Sequence, residues 1–250
     1  MKLSGKSIIP NDKSSIVIEL SPIMKAKSSC TTFGDFAAIV YHTILYLSKG
    51  CKRLDVVADR NIQDSLKEGT RVIIGSIVSY LKFTGTTRIP LNFANSFLKD
   101  SKNKDELNKF LVVEFMKLHV DSPQELVVTF EDTVLSSQNN IKNDESINIC
   151  KAEEADTKLI RHGISQAKQG FKNIVIRTVD TDFFILALAY SHIIKSNGAT
   201  NLMVHLSSSS DVKLFDIFEL RIKIGDKRCL GLPFFHAFTG CDSTSSFFQH

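Results

Sequence analysis

Short runs of β-branched and apolar residues alternate along this chain with longer stretches in which apolar side chains recur every three or four positions. Residues 15–20 (SIVIEL) form the first such run, and 54–58 (LDVVA), 126–130 (LVVTF), 173–177 (NIVIR) and 201–206 (NLMVHL) follow it. Their length and composition predict strands. Between them, residues 33–47 place Phe36, Ile39, Val40, Ile44 and Leu47 at helical spacing, with Gly50 positioned to close the helix. Residues 104–117 do the same with Leu107, Phe110, Leu111 and Phe115, and 153–169 predict a helix stopped by Gly170. Strands that alternate with helices predict an α/β fold: a mostly parallel central sheet with helices on both faces.

The span 62–100 breaks this rhythm. It mixes Lys67, Arg71, Lys82, Arg88 and Lys99 with Phe83, Phe93 and Phe97. It is expected to be an insertion between the second and third strands. Its rings either stack on nucleobases or turn inward while the cations stay in solvent. The polar runs 136–146 and 207–210 are expected to be surface loops.

Composition narrows the class. With 43% hydrophobic and 23% charged residues over 250 positions, the chain can build a sizeable core, which excludes collagen-like and wholly disordered proteins. The net charge of +4, from 31 basic and 27 acidic residues, permits a phosphate-bearing partner without demanding one. The longest strongly apolar run, 183–190, is far short of the ~20 residues that cross a bilayer. The cysteines (Cys30, Cys51, Cys150, Cys229, Cys241) are scattered and are expected to be reduced thiols of an intracellular protein. His42, His119, His162 and His205 have no metal-ligand spacing, and no GxxxxGK[ST] loop occurs.

The chemistry lies in the acids. Glu19 is near the end of the first strand, Asp59 follows the second, Glu154 and Asp156 open a helix, Asp180 and Asp182 follow the fourth strand, and Asp242 follows Gly240-Cys241. Singly, each has a local explanation: first-turn acids suit the helix dipole, and Asp180 or Asp182 can cap the helix that begins FFILAL. Together they would crowd carboxylates at one end of a sheet, which divalent cations neutralise; Mg²⁺ and Mn²⁺ prefer such oxygen ligands. Two ions held about 4 Å apart form a clamp for phosphodiester cleavage. His236, among Phe234, Phe235 and Phe238, either assists a metal or phosphate or is a packed aromatic neighbour.

Glu153-Glu154-Ala155-Asp156-Thr157, then Arg177-Thr178-Val179-Asp180-Thr181-Asp182, then Leu232-Pro233-Phe234-Phe235-His236-Ala237-Phe238-Thr239-Gly240-Cys241-Asp242, resemble the PIN-like nucleases of the XPG/flap-endonuclease type. More closely they resemble transposon-associated invertebrate proteins that carry EEADT, DTD and FHAFTGCD. The resemblance runs from about Ile16 to Phe247. It implies a PIN-like domain that cleaves DNA or RNA with two Mg²⁺ or Mn²⁺ ions. Asp59, Glu154, Asp156, Asp180, Asp182 and Asp242 would be the catalytic and metal-holding acids, with Glu19 as a further metal ligand. Lys67 and Arg71 would contact the substrate phosphate. The family has Asp followed by Gly at the first acid, where this chain has Glu19-Leu20. That departure motivates a second expectation: a catalytically inactive, nuclease-derived domain that binds nucleic acid or protein.

The expected organisation is an N-terminal extension over 1–14 and one PIN-like domain over 15–250, with a helical insertion at about 62–118 and a C-terminus that can stop short of the family's domain. The expected location is intracellular, the nucleus ahead of the cytoplasm.

Overall fold

The computed structural model describes residues 13–24, 30–58, 82–94, 96–138, 144, 147, 155–207 and 212–239. Seven strands form one sheet in the order β4-β3-β2-β1-β5-β6-β7: β1 (Ser14–Glu19), β2 (Arg53–Val57), β3 (Glu125–Phe130), β4 (Thr133–Ser136), β5 (Asn173–Thr178), β6 (Asn201–Ser207) and β7 (Val212–Asp216). The pairings β3–β2, β2–β1, β1–β5 and β5–β6 are parallel, and β4 and β7 join the two edges antiparallel. The sheet is therefore mixed but mostly parallel. Every residue of β1, β2 and β3 is buried. That explains the continuous apolar stretches IVI in β1 and LVV in β3.

Successive strand residues feed two cores. Ile16, Ile18, Leu54, Val56, Leu126 and Val128 face α2 (Phe33–Leu47) and α3 (Ser101–Leu118); the short α1 (Leu20–Met24) adds Leu20 and Met24 to the same core. Val17, Val57, Ile174, Ile176, Leu202 and Val204 form the opposite core with four helices: α4 (Ala155–Lys168), α5 (Asp182–Ser196), α6 (Ile217–Ile224) and α7 (Asp226–Thr239). Helices thus lie on both faces, as the alternation predicted.

Local chemistry sets the helix ends. Thr32 and Asp35 form a reciprocal capping box at the start of α2. Asp100 accepts from the Asn103 N–H at the start of α3, and Asp216 from the Glu219 N–H at the start of α6. Arg221 of α6 donates to the carbonyls of Leu188 and Ala189 in α5 and to Asp226 at the head of α7, tying three helices together.

Phe83, Phe93 and Phe97 of the irregular span turn inward. Phe83 stacks on Phe33 with ring centroids 3.9 Å apart, and Phe93 and Phe97 complete the cluster over α2. Of the two roles open to these rings, core packing is the one they take. In the run expected as a loop over 136–146, Ser136 instead belongs to β4. Cys51 and Cys229 are free thiols. No helix among the described residues is long and apolar enough to cross a membrane.

Candidate functional site

From β1 the chain builds outward to β2, β3 and β4, then returns to place β5 on the other side of β1. The strand order reverses between β1 and β5. In open α/β sheets that switch point, at the carboxyl ends of the strands, is where ligands bind. The last residues of these two strands are Glu19 and Thr178.

They touch. The Thr178 hydroxyl, itself buried, donates to Oε2 of Glu19 across 2.6 Å. The same hydroxyl oxygen accepts the Asp180 backbone N–H at 3.0 Å. Oδ1 of Asp180 in turn accepts the Asp182 N–H at 2.8 Å, an Asx turn that opens α5. Thr181, in the N-cap position, makes no side-chain cap bond, so the Asp180 carboxylate takes over that function one residue earlier. At the next step Oδ1 of Asp182 lies 3.2 Å from Nε2 of His236, which α7 brings in by packing along α5. That contact is close but off hydrogen-bond geometry. A single run of contacts therefore leads from Glu19 through Thr178, Asp180 and Asp182 to His236.

Asp156 comes to the same edge of the sheet. It lies in the first turn of α4 and is 7% exposed. Because α4 precedes β5 and runs back along it, the start of α4 lies at the carboxyl edge of the strands. The positive end of the helix favours a carboxylate there. Of the residues singled out in the sequence, Glu19, Asp156, Asp180 and Asp182 are described and share this edge. Asp59, Glu154, Asp242, Lys67 and Arg71 lie outside the described residues.

These side chains offer oxygen donors, a set chemically suited to Mg²⁺ or Mn²⁺ rather than to softer metals. Among the described residues no group of three or more His, Cys, Asp or Glu side chains is arranged to hold a metal ion. No family model, curated protein or solved structure matches this chain.

Beside the site, α4 carries a feature that motif reading passed over. Arg53 and Asp55, both on β2, are fully buried and form a bidentate pair, Nε–Oδ1 at 2.7 Å and Nη2–Oδ2 at 2.8 Å. Oδ2 of Asp55 also lies 2.6 Å from Nδ1 of His162, and Nε2 of His162 lies 2.8 Å from the Thr129 hydroxyl. Burial pushes the Asp55 carboxyl up, but the Arg53 charge and the bonds from His162 and Arg53 outweigh it and hold it below the ordinary carboxylate range. Ser165 accepts from Arg53 at 3.2 Å, and Gln166 bonds both the Ser15 hydroxyl and the Ile16 carbonyl. Lys158, almost fully buried, donates to the Glu131 carbonyl. The only sequence signal was the polar face of α4, with Lys158, His162, Ser165 and Gln166 at helical spacing.

His119 and His205 also have structural partners. His119 meets the Tyr41 hydroxyl and the Gln124 carbonyl. His205 accepts from the Arg177 guanidinium at 2.7 Å, and burial together with that charge lowers it to about 4.

Proposed function

We propose that this chain is a PIN-like domain of the XPG/flap-endonuclease type and acts as a divalent-metal-dependent phosphodiesterase on DNA or RNA. The observation that supports this most is the contact run Glu19–Thr178–Asp180–Asp182 at the switch point between β1 and β5. In this reading Asp59, Glu154, Asp156, Asp180, Asp182 and Asp242 hold two Mg²⁺ or Mn²⁺ ions, Glu19 adds a ligand, and Lys67 and Arg71 contact the substrate backbone. Ions bound there would supply an activated water and offset charge on the phosphate.

The chain's own residues prepare for that chemistry. The Thr178 hydroxyl and the Asp182 N–H each fix one carboxylate oxygen, so Glu19 and Asp180 are aimed rather than free to rotate. Asp156 is held in a nearly dry setting at a helix start, where a carboxylate is favoured. His236 lies against Asp182, its Nε2 3.2 Å from Oδ1.

A second reading rests on one residue. Glu19 replaces the shorter Asp of the family pattern, and its Oε2 is taken by Thr178. A domain altered in this way would bind nucleic acid with salt-dependent affinity and leave it intact. A nucleic-acid substrate places the protein in the nucleus ahead of the cytoplasm.

The deciding experiment is Mn²⁺-dependent cleavage of labelled single-stranded, flap and hairpin DNA and of RNA, alongside Asp180→Asn/Asp182→Asn. Asn at 180 still offers an Oδ1 to the Asp182 N–H, so the turn survives while the charge is lost. Cleavage that disappears in the variant supports the nuclease. Binding without cleavage in either protein supports the second reading.

A further inference from the structure

Two kinds of surface hold α4 in place. Leu159, Ile160 and Ala167 pack into the apolar core beside β5 and α5. The side toward β1, β2 and β3 is polar instead: Lys158 reaches the Glu131 carbonyl, His162 bridges Asp55 and Thr129, Ser165 meets Arg53, and Gln166 meets Ser15 and Ile16. Arg53, Asp55, Ser165 and Gln166 are fully buried, and His162 and Lys158 are 1% exposed.

Such an arrangement is costly. Charges taken out of water recover their solvation only through good geometry, and apolar replacements of similar volume are often as stable or more so. Its advantage is direction. Apolar packing holds a helix through shape alone, whereas bonds of 2.6 to 2.8 Å to β2 and β3 at His162 also demand one donor–acceptor alignment. Asp156 lies six residues before His162 on the same rigid helix, so its place at the strand ends follows from that alignment.

The network also reaches the end of β2. The carbonyl of Thr129, whose hydroxyl meets His162, accepts the Ala58 N–H at 3.0 Å. Ala58 is the residue just before Asp59. That bond extends the parallel β2–β3 pairing one residue past Val57.

We propose that Arg53, Asp55, Thr129 and His162 are positioning residues that lock the register of α4 on β2 and β3 and so aim Asp156 into the acidic site. The proposal deepens the metal-site reading and rests on it for its functional meaning.

Two variants test it. Arg53→Met/Asp55→Leu/His162→Leu removes all three groups at once, so neither member of the Arg53–Asp55 pair is left without the other. Thr129→Val removes only the hydroxyl and guards against misfolding of the triple variant. Two readouts separate the claims: the amide order parameter of Asp156 in metal-free protein, and Mn²⁺ affinity from the free-ion electron paramagnetic resonance signal. The expected result in a folded variant is a fall of the Asp156 order parameter from about 0.85 toward 0.6. Mn²⁺ affinity should weaken about tenfold, the usual effect of losing an outer-shell partner. If the wild-type protein does not bind Mn²⁺ while Asp156 still loosens in the variants, the metal-site reading falls and the register lock stands. An unchanged Asp156 amide and unchanged Mn²⁺ affinity in a folded variant overturn the proposal. If only Thr129→Val folds, the same two readouts on it decide in the same way.

Discussion

The hydroxyl of Thr178 donates to Oε2 of Glu19 across 2.6 Å and joins the last residue of β5 to the last residue of β1. Thr178 also receives the Asp180 N–H, so one small side chain serves both the sheet and the turn after it. Thr178→Val keeps the shape and removes both bonds, leaving a buried carboxylate without one of its donors. The expected loss is roughly 1–3 kcal/mol of unfolding free energy, with Thr178→Ser recovering most of it, as read from urea denaturation.

Breaking the Arg53–Asp55 pair from one side should be far worse than removing it whole. Asp55→Ala leaves a fully buried guanidinium without its carboxylate. A cost of about 3–5 kcal/mol is expected. Thermal unfolding of Asp55→Ala beside Arg53→Met/Asp55→Leu checks this; similar melting temperatures for the two would contradict it.

His205 makes stability depend on acid. Its pKa falls from 6.5 unfolded to about 4 in the fold, through burial and the Arg177 charge. Between those values the unfolded chain binds the proton more readily, so stability is intact above about pH 6.5 and declines as pH falls toward about 4. His205→Gln should flatten that part of the curve by about 1–2 kcal/mol, after allowance for solvent screening at a half-buried site. Melting temperatures of both proteins across the interval would show equal slopes if the assignment were wrong.

Gly34 and Gly85 should respond differently to alanine. The Gly34 N–H donates to the Gly85 carbonyl at 2.8 Å, and a Cβ on Gly34 would meet that same oxygen at 2.8 Å. The obstacle is backbone, so Gly34→Ala should lose about 1–3 kcal/mol despite the better helix propensity of alanine. At Gly85 the nearest atoms are 3.8 Å and 3.9 Å away, and Gly85→Ala should change stability by less than about 0.5 kcal/mol. Denaturant midpoints of the pair test the contrast.

Much of the fold was legible because its strands are buried on both sides. Runs such as LVVTF in β3 admit few other readings, and α2 and α3 show their apolar faces openly. The edges were harder. β4 has four residues, none of them buried, and so carries almost no hydrophobic signal. The last helix holds Gly231 and Pro233, residues that punctuate chains more often than they continue helices, yet α7 runs through both. In the site, the acids stood out by type and placement, whereas their linkage through Thr178 did not, since a strand-end threonine is ordinary. The network on α4 was harder still. Arg53 and Asp55 flank Leu54 in the alternation expected of a half-exposed strand, and only tertiary packing shows that both are dry.

The central strand of the sheet is also the first to leave the ribosome. β1 meets β2 early, but the partner on its other side comes much later: Glu19 and Thr178 are 159 positions apart. At about 5–20 residues per second, that interval is about 8–30 s of synthesis. Throughout it the flank of β1 that β5 will occupy has unpaired peptide groups, and Val17 lacks the Ile174 and Ile176 side chains that share its core. The nascent chain therefore passes through a stage in which a strand that ends wholly buried has one open edge, until β5 emerges to close it.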